Sequence, residues 1–381
     1  MDLIELRKQI DEIDGQLIDL LLKRMELSKG VAQYKIERGI PVLNTQREQE
    51  ILDNVAQRCG EQGEAIKTIF STTMEASRAL QHEIIGGGRQ LRDKVNHAKR
   101  EAKLMLDGQS IACQGVDGAF SSKAARALFG DCNISFYKQF EDVFEAVNQN
   151  KARYGIIPVE NSTAGSVHES YDLIMKYRFY IVGAYDLQVN HCLCAKPDTK
   201  YEDIENVYSH PQALSQCNIF LKNFNFTGVN YSNTAAAAKF VSQSDKNNIA
   251  VICSETAAKE YGLKILKKGI QNVSNNTTRF IVISKELVID DNADKISLIF
   301  TLSHKTGSLY RVLGRFAMAG LSLTKLESRP IANGEFSYYF YVDIMGNVCN
   351  ANTLALLCAL SDELPDFIFL GNFSEIEENL D

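Results

Sequence analysis

YGIIPVENSTAGS, residues 154–166, joins an apolar run, Ile156-Ile157-Pro158-Val159, to a turn crowded with hydroxyl and amide side chains. The run reads as a buried strand, and its polar end presents groups where strands of an α/β domain stop. The same alternation extends in both directions. Upstream, Ile111-Ala112-Cys113-Gln114-Gly115 precedes Gly118-Ala119-Phe120-Ser121 and a helix whose first amides are placed to receive a carboxylate. Downstream, Tyr208-Ser209-His210-Pro211-Gln212 reads as a helix start with Ser209 as N-cap and Gln212 at N3. Asn233-Thr234 opens an alanine-rich helix, and Ser254-Glu255 follows the strand Ile249-Ala250-Val251-Ile252. Asn275-Asn276-Thr277-Thr278-Arg279-Phe280 adds a polar loop before the strand Ile281-Val282-Ile283. Short apolar runs alternating with helical patterns predict α/β architecture from residue 108 to 287.

Ahead of this region the period changes. From Leu3 to Ile36 the apolar residues follow a heptad, Leu3, Leu6, Ile10, Ile13, Leu17, Leu20, Leu27, Val31 and Tyr34, interrupted by Arg24. A guanidinium in a seam is costly unless it meets an anion. Lys35 lies eleven residues on, on nearly the same face and about 16 Å along the axis, so both side chains can converge on one ligand. Arg7 sits about 25 Å below Arg24 and can join them only from a second, antiparallel copy, which predicts a homodimer or larger homo-oligomer. The next helix starts at Asn44 or Thr45. Its Thr45 and Glu48 also read as a capping box. A third helix spans Glu64 to Ile85, with Ser77 and Gln81 on one face, and stops at Gly86-Gly87-Gly88. The charged connector that follows, residues 93–107, is expected to be helical with a solvated face.

Residues 295–381 read in the order βαββαβ, the ferredoxin-like α+β arrangement, with Asn333-Gly334 as a hairpin turn. The chain thus predicts a multidomain protein: all-α over residues 1–92, two-lobed α/β over 108–287, and α+β over 295–381.

Composition narrows the function. A net charge of −7 argues against a nucleic-acid partner, since phosphate binding wants clustered Lys and Arg. The start, Met1-Asp2-Leu3-Ile4-Glu5, has no basic stretch before an apolar run, and no segment is long and apolar enough for a membrane span, so a cytoplasmic location is expected. Nine cysteines without CxxC spacing fit reduced thiols. His191-Cys192-Leu193-Cys194 alternates within a strand and reads as buried core, so no metal site is expected.

Three sets of residues resemble known families. Arg7, Arg24, Lys35, Arg47-Glu48, Ser77 and Gln81, in that order, resemble the all-helical chorismate mutase domain. GAFS, PVENSTAG, YSHPQ, NTAAAA and TTRF occur in the order seen in prephenate dehydratases. Gly307-Ser308-Leu309 and Glu327-Ser328-Arg329-Pro330 are similar to the two motifs by which ACT domains of the dehydratase family bind phenylalanine. The resemblance implies a bifunctional phenylalanine-biosynthesis enzyme that takes chorismate and prephenate as substrates, is inhibited by L-phenylalanine, and needs no cofactor.

It also implies roles. Arg24, with Arg7 of a partner chain, would clamp carboxylates. Lys35 and Gln81 would bond the breaking ether oxygen, and Glu48 would hold the ring hydroxyl. Asn44, where many relatives carry aspartate, would help hold that hydroxyl with altered affinity, while Ser77 and Arg47 complete the polar wall. In the dehydratase region, two lobes resembling periplasmic binding proteins would enclose a cleft. Thr278 would stand closest to the leaving hydroxyl, with Ser121, Asn161, Ser162 and Ser209 lining the cleft. Arg279 would orient the loop or bind a carboxylate, and His210 and Glu160 would be proton-network members or structural. Ser322 stands where many relatives have asparagine, which bears on the strength of inhibition.

Two competing readings follow from the same folds: a non-catalytic small-molecule sensor, and a dehydratase whose mutase domain has decayed. Retention of Arg24 in an apolar seam and of Thr278-Arg279 before a strand weighs against the first. The intact set of Arg7, Arg24, Lys35, Glu48 and Gln81 weighs against the second.

Overall fold

The computed structural model describes residues 2–100, 108–331 and 337–378. It divides into two compact units, Met1–His97 with Lys295–Phe369, and Ala98–Asp294 with Leu370–Asp381. The helical N-terminus and the C-terminal α+β segment, far apart in sequence, therefore share one unit.

That first unit begins with α1 (Leu3–Arg38), which ends where Gly39 takes a left-handed conformation. Helix α2 (Thr45–Cys59) is capped by Asn44, whose side chain accepts from the Arg47 amide at 3.0 Å. The cap is thus one residue earlier than a Thr45–Glu48 box requires, and Glu48 is released from capping. Helix α3 (Gly63–Ile85) stops at Gly86, as the glycine run predicts. The third helix packs against the first, burying Ser28 and Ala32, yet the apolar row Leu3, Leu6, Ile10, Ile13, Leu17, Leu20 and Leu27 stays exposed.

Helix α4 (Arg89–Asn96) follows Gly88. A Cβ at Gly88 would lie 2.3 Å from that of Cys358, so only glycine lets α4 begin this close to the C-terminal helix Ala351–Glu363. The connector is helical only as far as Asn96. Lys99–Arg100 instead pairs in parallel with Val288–Ile289, because backbone pairing outweighs the helical bias of its charged residues, and residues 101–107 lie outside the described residues.

The C-terminal segment forms a four-stranded sheet in the order Leu323–Pro330, Tyr338–Met345, Lys295–Thr301, Phe367–Phe373, with helices Ser308–Met318 and Ala351–Glu363 between strands. The βαββαβ order is as the sequence predicts. The expected Asn333-Gly334 turn lies outside the described residues.

Besides the short pairing of Lys99–Arg100 with Val288–Ile289, the second unit contains two larger sheets. One runs Glu375–Glu377, Tyr180–Gln188, Thr277–Ser284, Tyr154–Asn161, Ser110–Gln114, Asn133–Tyr137. Ile111, Phe129, Tyr154, Ile156, Leu187 and Val282 are buried in its core. The other runs Lys264–Lys268, Cys192–Ala195, Ile249–Cys253, Asn206–Ser209, Thr227–Asn230. Alanines 235, 237 and 238 of the helix Thr234–Gln243 are fully buried against the second sheet, where small side chains permit close helix-on-sheet packing. The chain crosses between lobes after Gln188 and returns before Thr277, so the polar segments at those crossings meet at a cleft.

Candidate active sites

In the helical unit, α1 and α3 bring four of the sequence-predicted residues together in two rungs. Arg24 donates to the Ser77 hydroxyl and, at 3.2 Å, to the Thr73 carbonyl. Lys35 donates from Nζ to Gln81 Oε1 at 3.0 Å and to the Val42 carbonyl at 2.5 Å. Two long side chains eleven residues apart on one helix thus reach residues four apart on the other. Glu48 enters from α2, and its charge acts on both cations. Burial lowers the pKa of Arg24 and of Lys35 below their ordinary values, with the Glu48 carboxylate pulling the other way; for Lys35 the Arg78 guanidinium adds to the lowering. Two partly desolvated cations, an amide and a carboxylate therefore line one side of the helix pair.

Not every expected residue joins them. Arg47 points to solvent and pairs with Glu50 at 3.1 Å, because neighbouring residues on a helix diverge by about 100° and Glu48 takes the inward direction. The Asn44 side-chain oxygen is committed to capping α2, which leaves its amide nitrogen as a donor. Arg7 is exposed near the far end of α1. Sequence reasoning missed Arg78, which is buried and bonded to Glu48.

The cleft of the second unit has a volume of about 360 Å³ and is lined in part by Gly115, Ser121, Asn161, His191, His210, Gln216 and Thr278. None of its lining residues is an Asp, Glu, Lys or Arg. Anions in it must therefore be held by neutral donors and helix starts, as the amides ahead of the ten-residue helix Phe120–Phe129 permit. Asn161 is fixed from both ends. Its Oδ1 accepts from the Thr163 hydroxyl at 2.7 Å and the Thr163 and Ala164 amides, while Nδ2 donates to Asn276 Oδ1 and Thr278 Oγ1, both at 2.8 Å. Because Thr278 Oγ1 accepts that bond, its own proton is left to be donated toward the cleft.

His210 is itself the N-cap of the helix Pro211–Gln216, its Nδ1 accepting from the Gln212 amide at 3.2 Å, so Nε2 carries the ring proton. That corrects the reading of Ser209 as cap. Ser209 is fully buried, donates to the Ile252 carbonyl at 2.7 Å, and is not part of the cleft lining. Burial holds both His210 and His191 below the ordinary histidine pKa. His191 approaches Gln216 Oε1 at 2.9 Å, and the same oxygen accepts from Asn276 at 3.1 Å. The alternation that marked His191 as core was right about burial and silent about the cleft it borders.

Ser162 ties the Thr277 amide and the Asn275 carbonyl together from outside the lining. Arg279 is likewise outside it. Its guanidinium forms a two-point contact with Asp186 at 2.9 and 3.0 Å and reaches Glu375 at 2.6 Å, so it holds the strand beside Thr278 in place. Glu160 stands 3.9 Å from Arg279 rather than among the lining residues.

In the C-terminal segment, Gly307 caps the helix Ser308–Met318 with a left-handed backbone, and Leu309 is half-buried in its first turn. Glu327 and Arg329 share one face of the strand Leu323–Pro330, while Ser328 lies on the other, more exposed face.

A helical site of paired cations and an uncharged α/β cleft of directed donors define an enzyme with two separate centres for anionic substrates. Comparison with known proteins agrees. The family model "Chorismate mutase type II" matches residues 6–82, and "Prephenate dehydratase" matches residues 111–287. A bifunctional chorismate mutase/prephenate dehydratase of Buchnera aphidicola is 30% identical over 92% of this chain and 90% of its own length. An arogenate dehydratase/prephenate dehydratase of Arabidopsis thaliana is 39% identical over 63% of this chain, which spans 65% of that protein's length. The crystal structure of a prephenate dehydratase from Arthrobacter aurescens in complex with L-Phe is 27% identical, with a TM-score of 0.65, covering 70% of this chain and 90% of that one. The chain belongs to the bifunctional chorismate mutase/prephenate dehydratase family.

Proposed function

We propose that the helical site rearranges chorismate to prephenate, and that the cleft converts prephenate to phenylpyruvate in phenylalanine biosynthesis. The mutase reaction is pericyclic and asks for no nucleophile. It asks for a compact substrate conformer and stabilisation of charge on the breaking ether oxygen. Arg24 holds a carboxylate, Lys35 and Gln81 donate to the ether oxygen, and Glu48 accepts from the ring hydroxyl. Ser77 keeps Arg24 extended. The observation that carries this reading is the Lys35–Gln81 pair at 3.0 Å beside Arg24 and Glu48.

In the cleft, prephenate loses its ring carboxylate as CO₂ while the C4–oxygen bond breaks, and the electron pair from decarboxylation aromatises the ring. The departing hydroxide must gain a proton to leave as water. Thr278, its lone pair engaged by Asn161, donates a hydrogen bond to that oxygen, and His210 Nε2–H and the amides near Ser121 serve the carboxylates. A coupled assay with chorismate as sole substrate tests both steps. Phenylpyruvate is expected. Accumulation of prephenate would leave only the mutase, and no turnover of either chorismate or added prephenate would favour a sensor.

The exposed apolar row of α1 supports a homodimer in which Arg7 of one copy completes the other's site. Mixing two inactive variants, Arg7→Ala and Arg24→Ala, is then expected to restore about a quarter of wild-type mutase activity, since half the dimers are mixed and each carries one intact site. No recovery would assign Arg7 elsewhere.

The βαββαβ segment is an ACT domain in this reading, and its 307–309 and 327–329 motifs bind L-phenylalanine where two copies pair. Binding favours a dehydratase conformation with weaker substrate affinity. Identical prephenate saturation curves with and without phenylalanine would refute it. Nine free cysteines suit a reducing cytoplasm, and no helix among the described residues is long and apolar enough to cross a membrane.

A further inference from the structure

Behind the mutase site lies a buried group of charges that its chemistry does not call for. Arg78, 8% exposed, bonds Glu48 Oε1 and Glu75 Oε1 and lies 3.5 Å from Glu363 Oε2. Glu363 sits at the end of the C-terminal helix Ala351–Glu363 and is 7% exposed. It also bonds Arg315 at 2.8 Å and His82 at 2.7 Å, and Arg315 lies 3.8 Å from Glu75. Three carboxylates thus share two guanidiniums and one imidazole. Of the three, only Glu48, at 26%, is appreciably open to solvent.

We infer that Arg78 is a positioning residue for the mutase reaction, fixing Glu48 to meet the substrate hydroxyl, and that Glu363 and Arg315 of the C-terminal segment set where Arg78 stands. The inference rests on the mutase reading above. Arg78 holds one Glu48 oxygen and leaves the other for substrate. It cannot relax into water, because it is buried, and it cannot let go of one carboxylate without leaving that charge uncompensated. Burial opposes the Arg78 charge, but Glu75, Glu363 and Glu48 together outweigh it and keep it firmly protonated. The C-terminal segment therefore contributes two of the charges that determine where a mutase carboxylate points. A displacement of the helices Ser308–Met318 or Ala351–Glu363 by an effector would reach Glu48 through this cluster without touching substrate.

The test uses full-length Arg78→Met, Arg78→Lys and Glu363→Gln, with dehydratase activity on prephenate as the control for folding. Arg78→Met is expected to lower mutase kcat/KM by about 10- to 100-fold, the cost of a misplaced catalytic group. The loss should fall on kcat more than on KM, because Glu48 loses the cation that aims it while Arg24 still binds the substrate carboxylate. Arg78→Lys should recover part of the rate. Glu363→Gln should lower mutase kcat/KM several-fold with dehydratase turnover unchanged. A folded Arg78→Met with wild-type kcat and KM overturns the role of Arg78. A silent Glu363→Gln overturns the link to the C-terminal segment. Wild-type protein inactive on chorismate sinks the mutase reading, and this inference with it.

Discussion

Lys35→Ala lowers mutase kcat by about 10²–10³-fold, the usual loss when one donor to a developing negative charge is removed. The effect should fall on kcat more than on KM. In the proposed mechanism Lys35 meets an ether oxygen whose charge grows only as the bond breaks, whereas carboxylate binding rests on Arg24. Its partner Gln81 is oriented by the same bond, Lys35 Nζ to Oε1 at 3.0 Å, so the variant also frees the amide to rotate. Lys35→Arg should not rescue, since a planar fork cannot reproduce an ammonium that also reaches the Val42 carbonyl at 2.5 Å. Dehydratase turnover should not change. Chorismate consumption by stopped-assay chromatography measures the outcome, and a kcat within threefold of wild type would remove Lys35 from the mechanism.

Thr278→Val is the corresponding change in the cleft, with an expected fall of about 10²-fold or more in dehydratase kcat, in the range for loss of a positioned proton donor. Valine keeps the shape and the strand, and Arg279 continues to hold the neighbouring backbone through Asp186. What disappears is the hydroxyl, together with the acceptor for Asn161 Nδ2, which retains Asn276 Oδ1 as a partner. The variant should therefore fold normally and still perform the mutase step, accumulating prephenate from chorismate. Thr278→Ser should recover most of the rate. An undiminished valine variant would leave the departing hydroxyl to His210 or to solvent.

Much of this was legible in the chain. The heptad interrupted by Arg24 and the Lys35 spacing reported a helix with cations on one face, and α3 supplied Ser77 and Gln81, four residues apart, as their partners. GAFS follows one strand and PVENSTAG runs off the end of another, whereas TTRF, expected in a loop before a strand, opens the strand Thr277–Ser284 itself; Ser121, Asn161 and Thr278 border one cleft. The misreadings have a common cause. Ser209 and Arg47 sit one residue away from an inward-facing neighbour, and in a strand or helix one residue reverses or rotates the direction of the side chain, while Ser162 lies in the turn just past Asn161. The helix cap moved similarly, from Thr45 to Asn44 and from Ser209 to His210.

Glu75, Arg78 and His82 show the opposite limit. They lie at spacings of three and four on α3, drew no assignment from the sequence, and all three are buried. Periodicity, turn chemistry and the order of strands are local properties, recorded residue by residue, and they determined the three folds, their order and the residue types at both candidate sites. Which faces are covered is a matter of long-range packing. Only the tertiary structure could place a C-terminal Glu363 against Arg78 some 280 positions earlier, or align Thr278 beside Asn161, because burial turns a charge from a surface ornament into a group that must be paired.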